Sequence, residues 1–181
     1  AAALGLSEAQ AARLLEPAQQ LGLIAGDGPG RQRFSHGIVR DAISAQVTGV
    51  AREALHCDIA RAYAARMPVT IEEQFAAADH AWHASSALPT DTALMLLDQA
   101  RSAAWHRSAY GDVATLCKRA LQVCSRLDSG DARVDREVQL RVQLVTALAV
   151  TEGQNSTAVR AVLQELAETR LGRDQFTLEA A

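Results

Sequence analysis

The sequence feature that most constrains the fold is a glycine-rich turn, Gly26 to Gly30, which reads Gly-Asp-Gly-Pro-Gly. Glycine and proline interrupt regular structure, so the chain is expected to reverse direction here. A short apolar segment, Leu21 to Ile24, precedes the turn, and Arg31 to Phe34 follows it with alternating character. The pattern predicts two antiparallel strands joined by this turn.

Helical patterns flank the predicted hairpin. Ser7 is followed three residues later by Gln10, the capping-box spacing that marks a helix start, and Pro17 is expected to kink or shorten this first helix. After the hairpin, apolar residues recur at helical spacing from Ile38 to Val47, with Ser35 placed to cap that helix. Helix, hairpin and helix in this order predict a winged-helix module, with the glycine turn as the tip of the wing.

The remainder of the chain is predicted to be helical. The helix that follows the module should end near Arg66, because Pro68 disfavours helical geometry at Met67. We therefore predict a mainly α fold with two parts, a winged-helix module over residues 1–66 and an antiparallel helical array over residues 70–181. Two helix–turn–helix units of similar length favour a TPR-like α-solenoid, although Arg101 stands where such a repeat has a small residue.

Finer boundaries within the array follow from local signals. Ser85, Ser86 and Pro89 are expected to end one helix, with Thr90 capping the next, and Tyr110 to Asp112 is expected to form a tight connection. Fewer than three repeats seldom form a stable stack. Since the first residue is also not Met, we expect the chain to be a piece of a longer protein whose repeats continue.

Bulk properties exclude several classes of protein. The net charge is −3, and acidic and basic residues are interspersed, without the basic block typical of nucleic-acid binding. No apolar run approaches the length of a membrane span, and no signal peptide is recognisable. Three cysteines, an odd number, lie within helical patterns, which favours reduced thiols in a cytoplasmic protein and predicts that Cys117 and Cys124 are small core residues.

No catalytic arrangement is recognisable in the sequence. The motifs of serine hydrolases, zinc proteases and phosphate loops are absent, so this chain is not expected to be an enzyme or to hydrolyse ATP unaided. His80 and His83 are spaced three residues apart beside Asp79, which could suit a metal. No second cluster lies at ligand spacing, so we predict no metal site.

His36 is the best candidate for a binding residue. It falls in or beside the first turn of the predicted helix, where free backbone N–H groups and the helix dipole favour a phosphate. Position alone favours an ordinary surface histidine.

The segment RFSHGIVRDAI, followed by AREALHCDIARAYAAR, resembles the winged-helix part of STAND-type signal-transduction ATPases, especially large LuxR-type and cyclase-linked actinobacterial regulators. In that superfamily a histidine at this point, as in the MHD motif of plant immune receptors, contacts the β-phosphate of bound ADP. The matching residue is His36. Gly37 stands where the MHD version has Asp, so the likeness is to the bacterial form.

The resemblance implies a regulatory segment of a cytoplasmic, ATP-dependent transcriptional regulator. An ATPase domain would precede residue 1 and would bind ATP or ADP, while this chain itself needs no cofactor. The wing and the helix of residues 38–47 would pack on that domain, with Arg31, Arg33 and Arg40 as further contacts. The helical array would receive a protein or small-molecule inducer, and DNA would be bound through other domains.

Two alternatives remain open. In the first, the winged helix binds DNA directly through Arg31, Arg33 and Arg40, although the seven arginines of residues 1–66 are nearly balanced by six acidic residues. In the second, the chain is a TPR-like scaffold without any link to nucleotide.

Overall fold

The computed structural model describes residues 5–28, 31–84 and 87–179, with side chains up to residue 169. Within these residues the chain forms eight helices and one antiparallel hairpin, which confirms the mainly α fold class. The elements, in chain order, are α1 (Glu8–Gln20), β1 (Ile24–Gly26), β2 (Gln32–Phe34), α2 (Gly37–Gln46), α3 (Gly49–Arg66), α4 (Ile71–His83), α5 (Thr90–His106), α6 (Tyr110–Cys124), α7 (Asp131–Glu152) and α8 (Thr157–Glu179).

Helix α1 begins as its sequence predicts. The Ser7 hydroxyl accepts the Gln10 N–H at 3.2 Å, and the Gln10 side-chain oxygen accepts the Ser7 N–H at 2.9 Å, so the capping box is complete. Pro17 lies inside the helix, which nevertheless continues to Gln20. Pro17 therefore does not end α1 at its own position, and the expected kink or shortening stays a prediction.

The hairpin begins later than its sequence predicts. Strand β1 starts at Ile24, because the three preceding residues end α1: Gly22 has φ +67°, and the Leu23 N–H donates to the Ala18 carbonyl at 2.9 Å. Ile24 then pairs with Phe34. The predicted turn includes Pro29 and Gly30, which lie outside the described residues.

The start of α2 also differs by one residue from the prediction. The N-cap is His36 and not Ser35. The Ser35 N–H donates to the Leu23 carbonyl at 2.9 Å, which extends the hairpin by one hydrogen bond and delays the helix. Helix α3 then ends at Arg66, before Pro68, as predicted.

Helices α3 to α8 form an array in which each helix packs on the next. One buried cluster runs from Cys57 on α3 to Val162 on α8. Many of its members are alanines, whose small side chains let the helix backbones approach closely. The three cysteines are free and buried, as expected for core residues.

Two boundaries inside the array correct the predictions. Pro89 takes the N-cap position of α5, so Thr90 is its first helical residue and not its cap. Helix α6 already begins at Tyr110, because the chain reverses earlier, at Ser108, whose φ is +56°. Ser85 and Ser86, predicted to end α4, lie outside the described residues. Among the described helices, none combines the length and apolar character needed to cross a bilayer.

Candidate functional site

His36 takes the N-cap position of α2. Its backbone is extended, with φ −136° and ψ 136°, and its carbonyl accepts the N–H groups of Val39 at 3.2 Å and Arg40 at 3.4 Å. The imidazole makes no capping hydrogen bond and is exposed to solvent. It therefore stands beside the positive end of the helix dipole, where a phosphate could reach it.

The three candidate arginines lie on the hairpin and on the first turn of α2, and all are exposed. Arg31 contributes its backbone to the turn, where its carbonyl accepts the Asp27 N–H at 2.9 Å. The Arg33 Nε lies 3.9 Å from Asp27 Oδ1, and the Arg40 Nη2 lies 2.8 Å from Asp41 Oδ1. Two of the three guanidinium groups thus already face a carboxylate, which lowers the positive charge that this surface offers to DNA.

The apolar side chains of the N-terminal segment are largely uncovered. Helices α1 and α2 bury no residue, and Ile24 is the only buried side chain in the described part of residues 5–50. Leu21, from the predicted apolar strand, is 74% exposed, and Ile38, from the predicted apolar helix face, is 79% exposed. In the described part of residues 5–50, the apolar side chains therefore form no buried core of their own.

The structure adds a third histidine to His80 and His83. His56 of α3 packs against both rings, with centroid distances of 4.9 Å to His80 and 5.0 Å to His83. No group of three or more His, Cys, Asp or Glu side chains in the described residues is arranged to hold a metal ion. Sequence reasoning missed His56, because it precedes His80 by 24 residues and no local spacing connects the two.

The array contains a cavity of about 760 Å³ between α5 and the start of α7. Leu94, Met95 and Leu127 form its apolar wall, and Asp98 and Arg136, which form an ion pair, lie on its polar side. It is a broad depression that is open to solvent. The sequence could not indicate this cavity, since its walls come from three separate segments.

The remaining candidates are structural. Burial raises the pKa of the Cys117 thiol to about 11, so this cysteine stays a neutral core residue. His106 is the last residue of α5 and is exposed. Comparison with family models, curated proteins and solved structures found no match to this chain.

Proposed function

We propose that this chain is the regulatory and protein-interaction segment of a STAND-type, ATP-dependent transcriptional regulator of the cytoplasm. Its N-terminal winged-helix module packs on an ATPase domain that precedes it and senses the bound nucleotide. Its TPR-like helical array receives an inducer. The proposal rests on the resemblance of RFSHGIVRDAI and is supported by the geometry around that motif.

The observation that carries the proposal is the placement of His36. The imidazole is exposed at the N-terminus of α2 and has no capping role within the chain. A sensor of another domain's nucleotide must present its side chain outward, at a point where an anion is stabilised. A histidine buried in the module's own interior could not do so.

The uncovered apolar side chains support packing on a neighbouring domain. Leu21 precedes the hairpin, Phe34 ends its second strand and Ile38 lies in the first turn of α2. All three side chains are exposed. Covering them would bury apolar area at about 25 cal/mol per Å². An ATPase domain closed over this part of the module would thereby also bring its nucleotide towards His36.

The cavity between α5 and α7 is our candidate inducer site. It has an apolar wall and a charged side, the combination by which small-molecule sites bind and orient a ligand. The charge pairs Arg33–Asp27 and Arg40–Asp41 meanwhile disfavour direct DNA binding by the module, because a neutralised surface binds phosphates poorly.

The test uses the full-length parent protein and the variant His36→Ala. Losing a hydrogen bond to a charged phosphate costs about 1.5–3 kcal/mol, so ADP retention should weaken by about ten- to a hundredfold and basal activity should rise. His106→Ala, at the exposed end of α5, is the matched control and should retain ADP as the wild type does. Unchanged ADP affinity and basal activity in His36→Ala would show that the sensing role is wrong.

A further inference from the structure

Three histidines meet where α3 packs on α4. The Nδ1 atoms of His56 and His80 lie 2.9 Å apart, a hydrogen-bond distance. The ring of His83 lies 5.0 Å from that of His56, and the ring of Tyr63 stacks on His80 at 6.3 Å. The contact between the two helices therefore includes a cluster of titratable rings.

The hydrogen bond between His56 and His80 sets a limit on their charge. One Nδ1 must donate a proton and the other must accept with a lone pair. A doubly protonated pair has no lone pair at this point, and two N–H groups would face each other at 2.9 Å. The contact therefore survives only while at least one of the two imidazoles is neutral.

The charged groups around the cluster do not stabilise a doubly protonated pair. On α4, Asp79 faces the rings, but its Oδ1 already accepts from Arg119 of α6 at 3.2 Å. The same carboxylate oxygen lies 3.7 Å from His83 Nε2. One shared carboxylate cannot neutralise three imidazolium groups and a guanidinium.

Arg52, a charged residue of α3 beside the cluster, is positive and so disfavours protonation of His56. Arg52 donates to the carbonyls of Ser44 and Val47 at 2.6 and 3.3 Å, and so ties the end of α2 to α3. Ser44 and Val47, which lie at the end of α2 and line the same cavity as the three histidines, have no titratable side chain. Burial lowers the pKa of His56, with His83 and Arg52 adding to the effect, while Asp79 opposes it.

His80 responds in the same direction. Burial lowers the pKa of His80, and the charge of His56 lowers it further, again opposed by Asp79. Protons have access to the rings, because His56, His80 and His83 line an open cavity of about 490 Å³. This cavity lies where α2, α3 and α4 meet, so it marks the connection of the N-terminal segment to the helical array.

We propose that the His56–His80 pair, with His83 beside it, is an acid-sensitive joint: protonation of both partners breaks their hydrogen bond and loosens α3, with the segment it carries, from α4. The joint is built into this chain and does not depend on nucleotide sensing by His36. It would make the position of the N-terminal segment responsive to pH.

The first test measures urea unfolding of the 181-residue chain between pH 7.5 and 5.5, above the range in which ordinary carboxylates titrate. Because burial lowers the pKa of His56 and His80 in the folded state, the unfolded state binds more protons as the pH falls through the ordinary histidine pKa of 6.5. Stability is therefore complete above this pH and is lost as the pH falls. Since the pair keeps its hydrogen bond with one proton bound, refusal of the second proton should raise the unfolding constant by up to about tenfold at pH 5.5.

Variants assign the effect to the pair. His56→Gln and His80→Gln keep a hydrogen-bonding side chain that cannot be protonated, so each should flatten the pH dependence. His106→Gln, outside the cluster, should retain the wild-type slope. An unchanged slope in both pair variants would overturn the proposal.

Hydrogen exchange of the wild-type chain provides a second measurement that needs no variant. Protection factors of amides in α3 should fall between pH 7.5 and 5.5, while those in α6, at the centre of the array, should be retained. Equal loss in α3 and α6, or no loss in α3, would contradict a local joint. Neither experiment involves ADP, so failure here is distinguishable from failure of the proposed nucleotide sensing.

Discussion

The network around Arg101 allows a stability prediction that can be worked out from the structure. The Arg101 guanidinium donates to Asp98 Oδ1 from Nε at 3.3 Å and from Nη2 at 2.9 Å, and its Nη1 donates to the Gln143 side chain of α7. Only 14% of the Arg101 side chain is exposed. Arg101, which stands where a TPR-like repeat has a small residue, thus connects α5 to α7, two helices that are not consecutive.

We expect Arg101→Met to lower the free energy of unfolding by about 1.5–3 kcal/mol, the contribution of hydrogen bonds to a charged group. The loss should stay below the roughly 3–5 kcal/mol expected when a buried pair loses one member, because Asp98 keeps Arg136 as a second partner. Arg40→Met is the matched control. Arg40 is 61% exposed in its pair with Asp41, so this change should cost about 1 kcal/mol or less.

The assay is urea unfolding followed by far-ultraviolet circular dichroism, with a double-mutant cycle. Combining Arg101→Met with Gln143→Leu isolates the bond between α5 and α7, for which we expect a coupling energy of about 0.5–1.5 kcal/mol. If Arg101→Met costs no more than Arg40→Met and the coupling energy is zero, the network does not stabilise the array and the reasoning fails.

Two further predictions concern the buried core of the array. Leu97 is fully buried on α5, so Leu97→Ala should lower the free energy of unfolding by about 2–5 kcal/mol in urea. The control Leu163→Ala, at a side chain that is 46% exposed, should lower it by well under half as much. Equal losses in the two variants would contradict this view of the core. Because burial raises the pKa of Cys117 to about 11, its thiolate is scarce at pH 8, and a thiol reagent should modify it only after urea is added. Mass spectrometry checks this, and rapid modification of Cys117 in the native chain would refute it.

Local signals predicted the elements of this fold better than their ends. The capping box at Ser7 and the helix stop before Pro68 were confirmed, because both depend on residues close in sequence. The N-cap predicted for Ser35 was wrong: Ser35 still belongs to the hairpin, where its N–H donates to the Leu23 carbonyl, and the cap is the next residue, His36. Hydrogen bonds made across the hairpin decided that boundary, and residue type alone cannot indicate them.

In the candidate site, too, local spacing predicted some features and tertiary packing decided the others. The placement of His36 in or beside the first turn of a helix followed from the spacing of its neighbours, and the structure puts it beside that turn, at the N-cap. The role of His36 stays a prediction. The His56–His80 contact could not be predicted, since it depends on how α3 lies against α4.

The sequence by itself determined that the chain is mainly helical, where its hairpin lies and which helix faces are apolar, because these follow from the spacing of residues along one segment. Only the tertiary structure decided which of those faces are covered. Leu97 and Ile38 both belong to apolar stripes, yet one is fully buried and the other is exposed. The physical reason is that periodicity specifies the direction of a side chain from its own helix, whereas burial requires a second element to occupy the space it faces.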